Sequence, residues 1–224
     1  MKLKHGIASP STITRMLCGI DEELALYAFM EWIGEIADSK NTHLAIDGKA
    51  LRGATEKTKG GTTPMLLNVV DTVRGLIFAQ LPVDSKTNEI GVIPELLKLL
   101  DIKGSVITMD AIGTQTAIME QIHEQEGHFV LTVKKNQPEA YEEIHRFMDQ
   151  LEAEEAKTKT DEIPDAVIRE YLEKYEETNR MEKNRDRNEY RVCQICNDAS
   201  SLTKTQKEWR HVQSIGRIKQ IRIP

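Results

Sequence analysis

Two aspartates in this chain close apolar runs that read as strands. In "LAIDGKALRG" the run Leu44–Ile46 delivers Asp47 into Gly48 and Lys49, and in "TMDAIGTQ" the run Val106–Met109 delivers Asp110 ahead of Gly113. Aspartate is a poor strand former, and a carboxylate ending a buried run is costly unless something compensates it. Two readings stand at each position. The first is a turn or helix cap, since Asp-Gly is a common turn dipeptide. The second is a carboxylate held at the carboxyl end of a strand, where open α/β sheets bind ligands. If the two strands are neighbours, Asp47 and Asp110 come together, and two unpaired carboxylates that close repel each other. A divalent cation such as Mg²⁺ removes the repulsion, because it prefers oxygen ligands and takes carboxylates together with substrate phosphates. Two such ions about 4 Å apart activate a water or hydroxyl and stabilise the leaving oxygen of a phosphodiester. Lys49 and Arg52, just beyond the first acid, suit an anionic substrate.

The segments around these acids give the framework that would hold them. "HLAIDGKAL", "MLLNVVDTV" and "LIFAQLPVD" read as three strands, the last two joined by a tight turn at Val73-Arg74-Gly75. The near-continuous apolar content of the second predicts burial on both faces. "KTNEIGVIPELLKLLD" follows as a helix, with Ile93, Leu96, Leu97 and Leu100 in register and Pro94 expected near its first turn. Strand "SVITMDA", helix "QTAIMEQIHEQE", strand "HFVLTVKKN" and helix "PEAYEEIHRFMDQLEAEE" complete a β-β-β-α-β-α-β-α order. That order predicts an α/β fold with a mixed sheet and two crossovers.

Before this core, "ASPSTITRMLCGI" opens as a helix capped by Ser9 with Pro10 at its first position. "DEELALYAFMEWIGEIA" forms a second, with acidic residues at its dipole-favoured start. Exposed apolar faces on Met16, Phe29 or Trp32 would promote self-association. After the core, residues 157–188 are polar and charge-dense and read as a mobile connection, helical around "DAVIREYLEKYEE". "YRVCQICND" and "VQSIGRIKQIRI" then read as strands.

Composition bounds the function classes. The 224 residues are 39% hydrophobic and 29% charged, as expected of a soluble globular protein. No run reaches the roughly 18 apolar residues that span a bilayer, and "MKLKHGIASP" lacks the apolar core of a secretory signal. Three cysteines argue against a disulfide framework and for a reducing compartment, so the cytoplasm is expected and a membrane is not. The net charge of −6 disfavours nucleic acid when taken alone. From Arg180 onward, however, 11 Lys+Arg face 5 Asp+Glu. Arg185, Arg187, Arg191, Arg210, Arg217, Lys219 and Arg222 make either a phosphate-binding face or an ordinary solvated surface. Cys193 and Cys196 have zinc-ligand spacing but no second pair, and read as strand positions. The six histidines form no metal spacing, and no G-x-S-x-G nucleophile turn or phosphate-loop motif occurs.

Taken together, "AIDGKALRGA", "VDSKTNEIGVIPELLKLLDIKGSVITMDAIGTQ" and "FVLTVKKNQP" resemble the ISAs group of insertion-sequence transposases, the H-repeat-associated proteins. The similarity spans nearly the whole chain, down to "GIASPSTITRML". It implies a DDE recombinase with an RNase H-like fold that cleaves and joins DNA strands using Mg²⁺ (or Mn²⁺). Carried over, Asp47 and Asp110 match the first two acids of the metal-binding triad. Lys49 and Arg52 match basic residues after the first acid; Lys86, Asn88 and Glu89 match a "KSNEI" segment; Lys134, Asn136 and Gln137 match a "KxNQ" segment. These, with Arg187 and Arg191, are the nucleic-acid-binding candidates, and the implied partner is double-stranded DNA, both transposon ends and target.

The departures from the family pattern matter equally. Where the family has His-Gly-Arg-x-Glu-x-Arg, this chain reads Arg185-Asp186-Arg187-Asn188-Glu189-Tyr190-Arg191, and its Met-Gly-Cys after the second acid is Ile112-Gly113-Thr114. The family's third acid lies in a "HWxIEN"-like segment that these residues do not contain, and Glu142 or Glu143 on an acidic helix is a poor substitute. The expectation is therefore a transposase truncated at both ends and inactive. Residues 1–40 would be the remnant of a helical helper domain, 41–156 the RNase H-like catalytic core, and 157–224 a basic, partial β insertion. The alternatives are a non-catalytic fragment that binds DNA or a partner, and a two-acid RNase H-like nuclease.

Overall fold

The computed structural model describes residues 7–51, 65–83, 89–159, 170–184, 187–202 and 209–223. The chain divides into two compact units, one of Met1–Met109 with Glu124–Val130 and the other of Asp110–His123 with Leu131–Pro224.

The first unit opens with helices α1 (Pro10–Leu17) and α2 (Glu22–Ile36). Ser9 and Asp21 cap them, accepting from the Thr12 and Leu24 backbone N–H groups. The expected apolar stripe of α1 is exposed, at Ile13, Met16 and Leu17, whereas α2 buries Ile33. Trp32 is also exposed, and Phe29 is half-buried.

Strands β1 (His43–Ala50), β2 (Met65–Asp71), β3 (Leu76–Val83), β4 (Val106–Met109) and β5 (His128–Leu131) form a five-stranded sheet in the order β3-β2-β1-β4-β5. Because β1 pairs antiparallel with β2 and parallel with β4, the sheet is mixed and the fold is α/β. Leu44, Ile46, Leu67, Val69, Phe78 and Ile107 are buried in it, along with Ile93, Leu96 and Leu97 of α3 (Glu89–Lys98). Each such side chain, fully buried, contributes about 1.5–3 kcal/mol.

Two local devices fix the register. Asp71 accepts the Val73 and Arg74 N–H groups at 2.8 and 2.9 Å and so shapes the β2–β3 turn, which Gly75 completes at φ 71°. At the head of the parallel pair, Asn41 N–H donates to Lys103 O and Val106 N–H to Thr42 O. Gly104 passes so close there that an added Cβ would run into the Asn41 side chain.

In the second unit, helix α5 (Pro138–Thr158) packs on a three-stranded antiparallel sheet of β6 (Tyr175–Asn184), β7 (Arg187–Cys196) and β8 (Ile215–Ile223). Phe147, Met148 and Leu151 of α5 share a core with Tyr175, Cys196, Leu202 and Ile215. Helix α4 (Thr116–Glu124) buries Ile118, Met119 and Ile122.

Four expectations need correction. The stretch read as a mobile connection contains β6, whose ten residues pair with β7 from Tyr175↔Cys196 to Asn184↔Arg187. Of the helix expected around "DAVIREYLEKYEE", residues 165–169 lie outside the described residues, Glu170–Leu172 are helical, and Tyr175 onward is strand. Pro94 is interior to α3 rather than in its first turn. It removes one backbone bond there, and the helix persists on the burial of Ile93, Leu96 and Leu97. The strand predicted as "HFVLTVKKN" also ends early, at Leu131, and Thr132–Gln137 are not strand.

Candidate functional site

Asp47 follows buried Ile46 on β1 and is itself exposed. Lys49, two residues on and therefore on the same side of the strand, brings Nζ to 3.3 Å from Asp47 Oδ2. Cross-strand register adds a feature that sequence reasoning missed. Asp47 pairs with Asn68, and Asn68 pairs with Gln80, so three polar residues cross β1, β2 and β3 in one row. Asn68 is buried, and Gln80 Nε2 donates to its Oδ1 at 2.6 Å. The available signal was an amide midway along each of the apolar strands "MLLNVVD" and "LIFAQLPV". His43, at the start of β1, is satisfied by the Thr108 and Thr72 hydroxyls at 3.0 and 2.7 Å.

Asp110 follows the end of β4 and caps a short 3₁₀ turn, Ala111–Gly113. Its Oδ1 accepts both the Ala111 N–H and the Lys134 ammonium, each at 2.7 Å. The rest of the "KxNQ" segment meets the same turn. Asn136 Nδ2 donates to Ala111 O at 3.0 Å, and Gln137 Nε2 donates to Thr114 O at 2.8 Å. Buried Thr114, which stands where the family frame has Cys, donates its hydroxyl to Thr132 O at 2.8 Å. Lys134, Asn136 and Gln137 thus hold partners within the protein, at the second acid. The Lys134 hydrogen bond, aided by the Ala111 N–H, lowers the Asp110 pKa, so the carboxyl is ionised at neutral pH.

The parallel β1–β4 ladder runs to Ile46↔Met109, and an aspartate is the next residue of each strand. The donor chemistry suits a hard divalent cation. Both groups are exposed carboxylates, 60% and 63% accessible at the side chain, and each is already beside a lysine. Among the described residues, no three His, Cys, Asp or Glu side chains gather as metal ligands.

The other candidates are scattered. Arg52, Lys86 and Asn88 lie outside the described residues, and Glu89 begins α3. Arg187 begins β7 opposite Asn184, and Arg191 lies 3.3 Å from Glu189. Two cations of the suspected phosphate-binding face are engaged internally: Arg217 pairs with Asp149 and Glu152, and Lys219 with Glu152. Cys193 and Cys196 are positions of β7, the latter buried. Among the described residues no helix is long and apolar enough to cross a membrane.

Residues 38–223 match the family model described as "Transposase DDE domain", and the chain belongs to that family. The relatives narrow the group. The chain is 37% identical over 136 residues to the "H repeat-associated putative transposase YhhI" of Escherichia coli strain K12, covering 60% of this chain and 36% of that protein. It is 36% identical over 136 residues to the "H repeat-associated putative transposase YbfD" of the same strain, covering 60% and 53%. An "Uncharacterized protein in dhlA 3'region" of Xanthobacter autotrophicus is 36% identical over 155 residues, covering 66% and 51%. The type is the ISAs, H-repeat-associated one that the motifs resemble. The matched region spans about a third to a half of these relatives' length.

Proposed function

We propose that this chain carries the metal-binding heart of a DNA transposase, with Asp47 and Asp110 as ligands of a divalent cation, Mg²⁺ or Mn²⁺. One observation carries the reading: the parallel ladder ends on Ile46 opposite Met109, and both strands continue into aspartate. The five-stranded mixed sheet supports an RNase H-like core over residues 41–156, with helper-domain helices before it and a β insertion over 157–224. Double-stranded DNA in the cytoplasm is the substrate, as both transposon end and target.

When bound, the cation supplies Lewis-acid activation of the attacking hydroxyl and neutralises charge on the leaving oxygen. The chain's own residues do the rest. Asp47, within β1, and Asp110, the residue after β4, present their carboxylates from sheet strands, which hold a group more rigidly than a loop would. Asn136 and Gln137 hold the turn that carries Asp110. Lys49, Arg52, Lys86, Asn88, Arg187 and Arg191 supply contacts to phosphate, which set affinity and register without reading sequence.

Incubation with supercoiled plasmid tests the reading. Any nicking should require Mg²⁺ or Mn²⁺ and vanish in Asp47→Ala and Asp110→Ala, while salt-sensitive DNA binding persists. Nicking that survives either substitution would refute the assignment of the acids. DNA binding with no nicking in the unsubstituted chain would favour a non-catalytic DNA-binding module.

A further inference from the structure

Lys134 is held at Asp110 by more than its own charge. The residues around it are fastened to the turn that Asp110 begins: Thr132 O accepts from Thr114, Asn136 donates to Ala111 O, and Gln137 donates to Thr114 O. A further backbone bond, from the Gln137 N–H to Lys134 O, closes the segment on itself. An ordinary surface ion pair loses most of its worth to the entropy of fixing two flexible side chains. Here the lysine's backbone is already fixed on both sides, and only its side chain remains to be ordered. Its ammonium contacts the oxygen that also takes the Ala111 N–H, so Asp110 Oδ1 has two donors. Any cation approaching this carboxylate meets a positive charge already in contact with it. Lys134 remains 59% accessible at its side chain, so it is free to swing away once displaced.

We propose that Lys134 is the resident counter-ion of Asp110 and competes directly with the divalent cation, the Asn136–Gln137 clamp setting the strength of that competition. The inference rests on the reading of Asp110 as a metal ligand. It gives the "KxNQ" segment a role besides contacting DNA. Lys134 keeps the strand-end charge compensated while the metal is away, and releases an ammonium toward the phosphate backbone when the metal arrives.

Binding of Mn²⁺ alone, followed by the electron paramagnetic resonance signal of the free ion at low salt and without DNA, separates the two claims. Lys134→Met should bind Mn²⁺ about two- to fivefold tighter than the unsubstituted chain, the range expected from losing one exposed competing charge. Lys134→Arg should stay near the unsubstituted value, and Asn136→Ala should fall between. Lys134 is exposed, so folding should survive, and near-ultraviolet circular dichroism checks that it does. Equal or weaker Mn²⁺ binding by folded Lys134→Met overturns the inference while leaving the metal reading intact. Unchanged Mn²⁺ binding by Asp110→Asn overturns the metal reading, and this inference with it.

Discussion

Lys134 Nζ lies 2.7 Å from Asp110 Oδ1 although 24 residues separate them in the chain. The contact joins the segments "TMDAIGTQ" and "VKKNQ" into one piece of structure, because Asn136 and Gln137 bond to carbonyls of the turn that Asp110 starts. An exposed carboxylate at a strand end is thereby given a fixed direction and a compensating charge. Neither apolar burial nor strand pairing supplies those on its own.

The clamp should be measurable as stability. Asn136→Ala and Gln137→Ala each remove one side-chain donor to a backbone carbonyl, and each should cost about 1 kcal/mol. Urea unfolding midpoints check this, and a shift indistinguishable from zero in both would show that the bonds are not maintained in solution.

The amide pair beside Asp47 should behave non-additively. Gln80→Leu leaves buried Asn68 Oδ1 without its donor and should cost about 1–2 kcal/mol. Replacing both amides, as in the double variant Asn68→Leu with Gln80→Leu, should recover much of that loss. A double variant as unstable as the sum of the singles would contradict it.

Arg217 is an enclosed cation of the second unit, with a side chain 10% accessible that contacts Asp149, Glu152 and the buried Gln194. Arg217→Met should destabilise by about 1–2 kcal/mol, less than a fully buried pair would, because both acids are partly exposed. Arg217→Lys, lacking the planar fork, should restore only part of it. Thermal unfolding of the three proteins gives the order.

Asp198 should contribute to acid sensitivity. The Lys174 ammonium at 2.6 Å, with the Ser200 hydroxyl and N–H, holds its carboxyl at about 2, below the usual carboxylate range. A carboxyl with a depressed folded-state pKa adds stability above its unfolded pKa, near 4, and loses it as pH falls through the folded value. Asp198→Asn should therefore lower stability at neutral pH and flatten the decline between pH 4 and about 2. A decline as steep as in the unsubstituted chain would contradict the assignment.

The strands that carry the acids were legible from their apolar runs. Strand β1, however, continues through Asp47 and Gly48 to Ala50, where the sequence suggested a turn or a strand end, because its ladder with β2 extends that far. Strand β6 was not legible. Its residues Glu176, Glu177, Asn179 and Arg180 are exposed and polar, and it exists through its ladder with β7 rather than through an apolar face of its own. Pro94 misled because propensity is local, whereas burial of Leu96 and Leu97 overrides it. Lys134, Asn136 and Gln137 could be recognised as a motif, but residue type cannot distinguish an amide aimed at DNA from one bonded to a carbonyl of its own chain. The Asp47–Asn68–Gln80 row depends on register across three strands, which spacing along one strand does not reveal.

The most direct measurement is the anomalous diffraction of Mn²⁺ soaked into crystals of the protein. The account predicts a peak roughly 2.1 Å from carboxylate oxygens of both Asp47 and Asp110, with the Lys134 ammonium moved off Asp110. A peak bound elsewhere, with Lys134 still on Asp110 at saturating Mn²⁺, would contradict it.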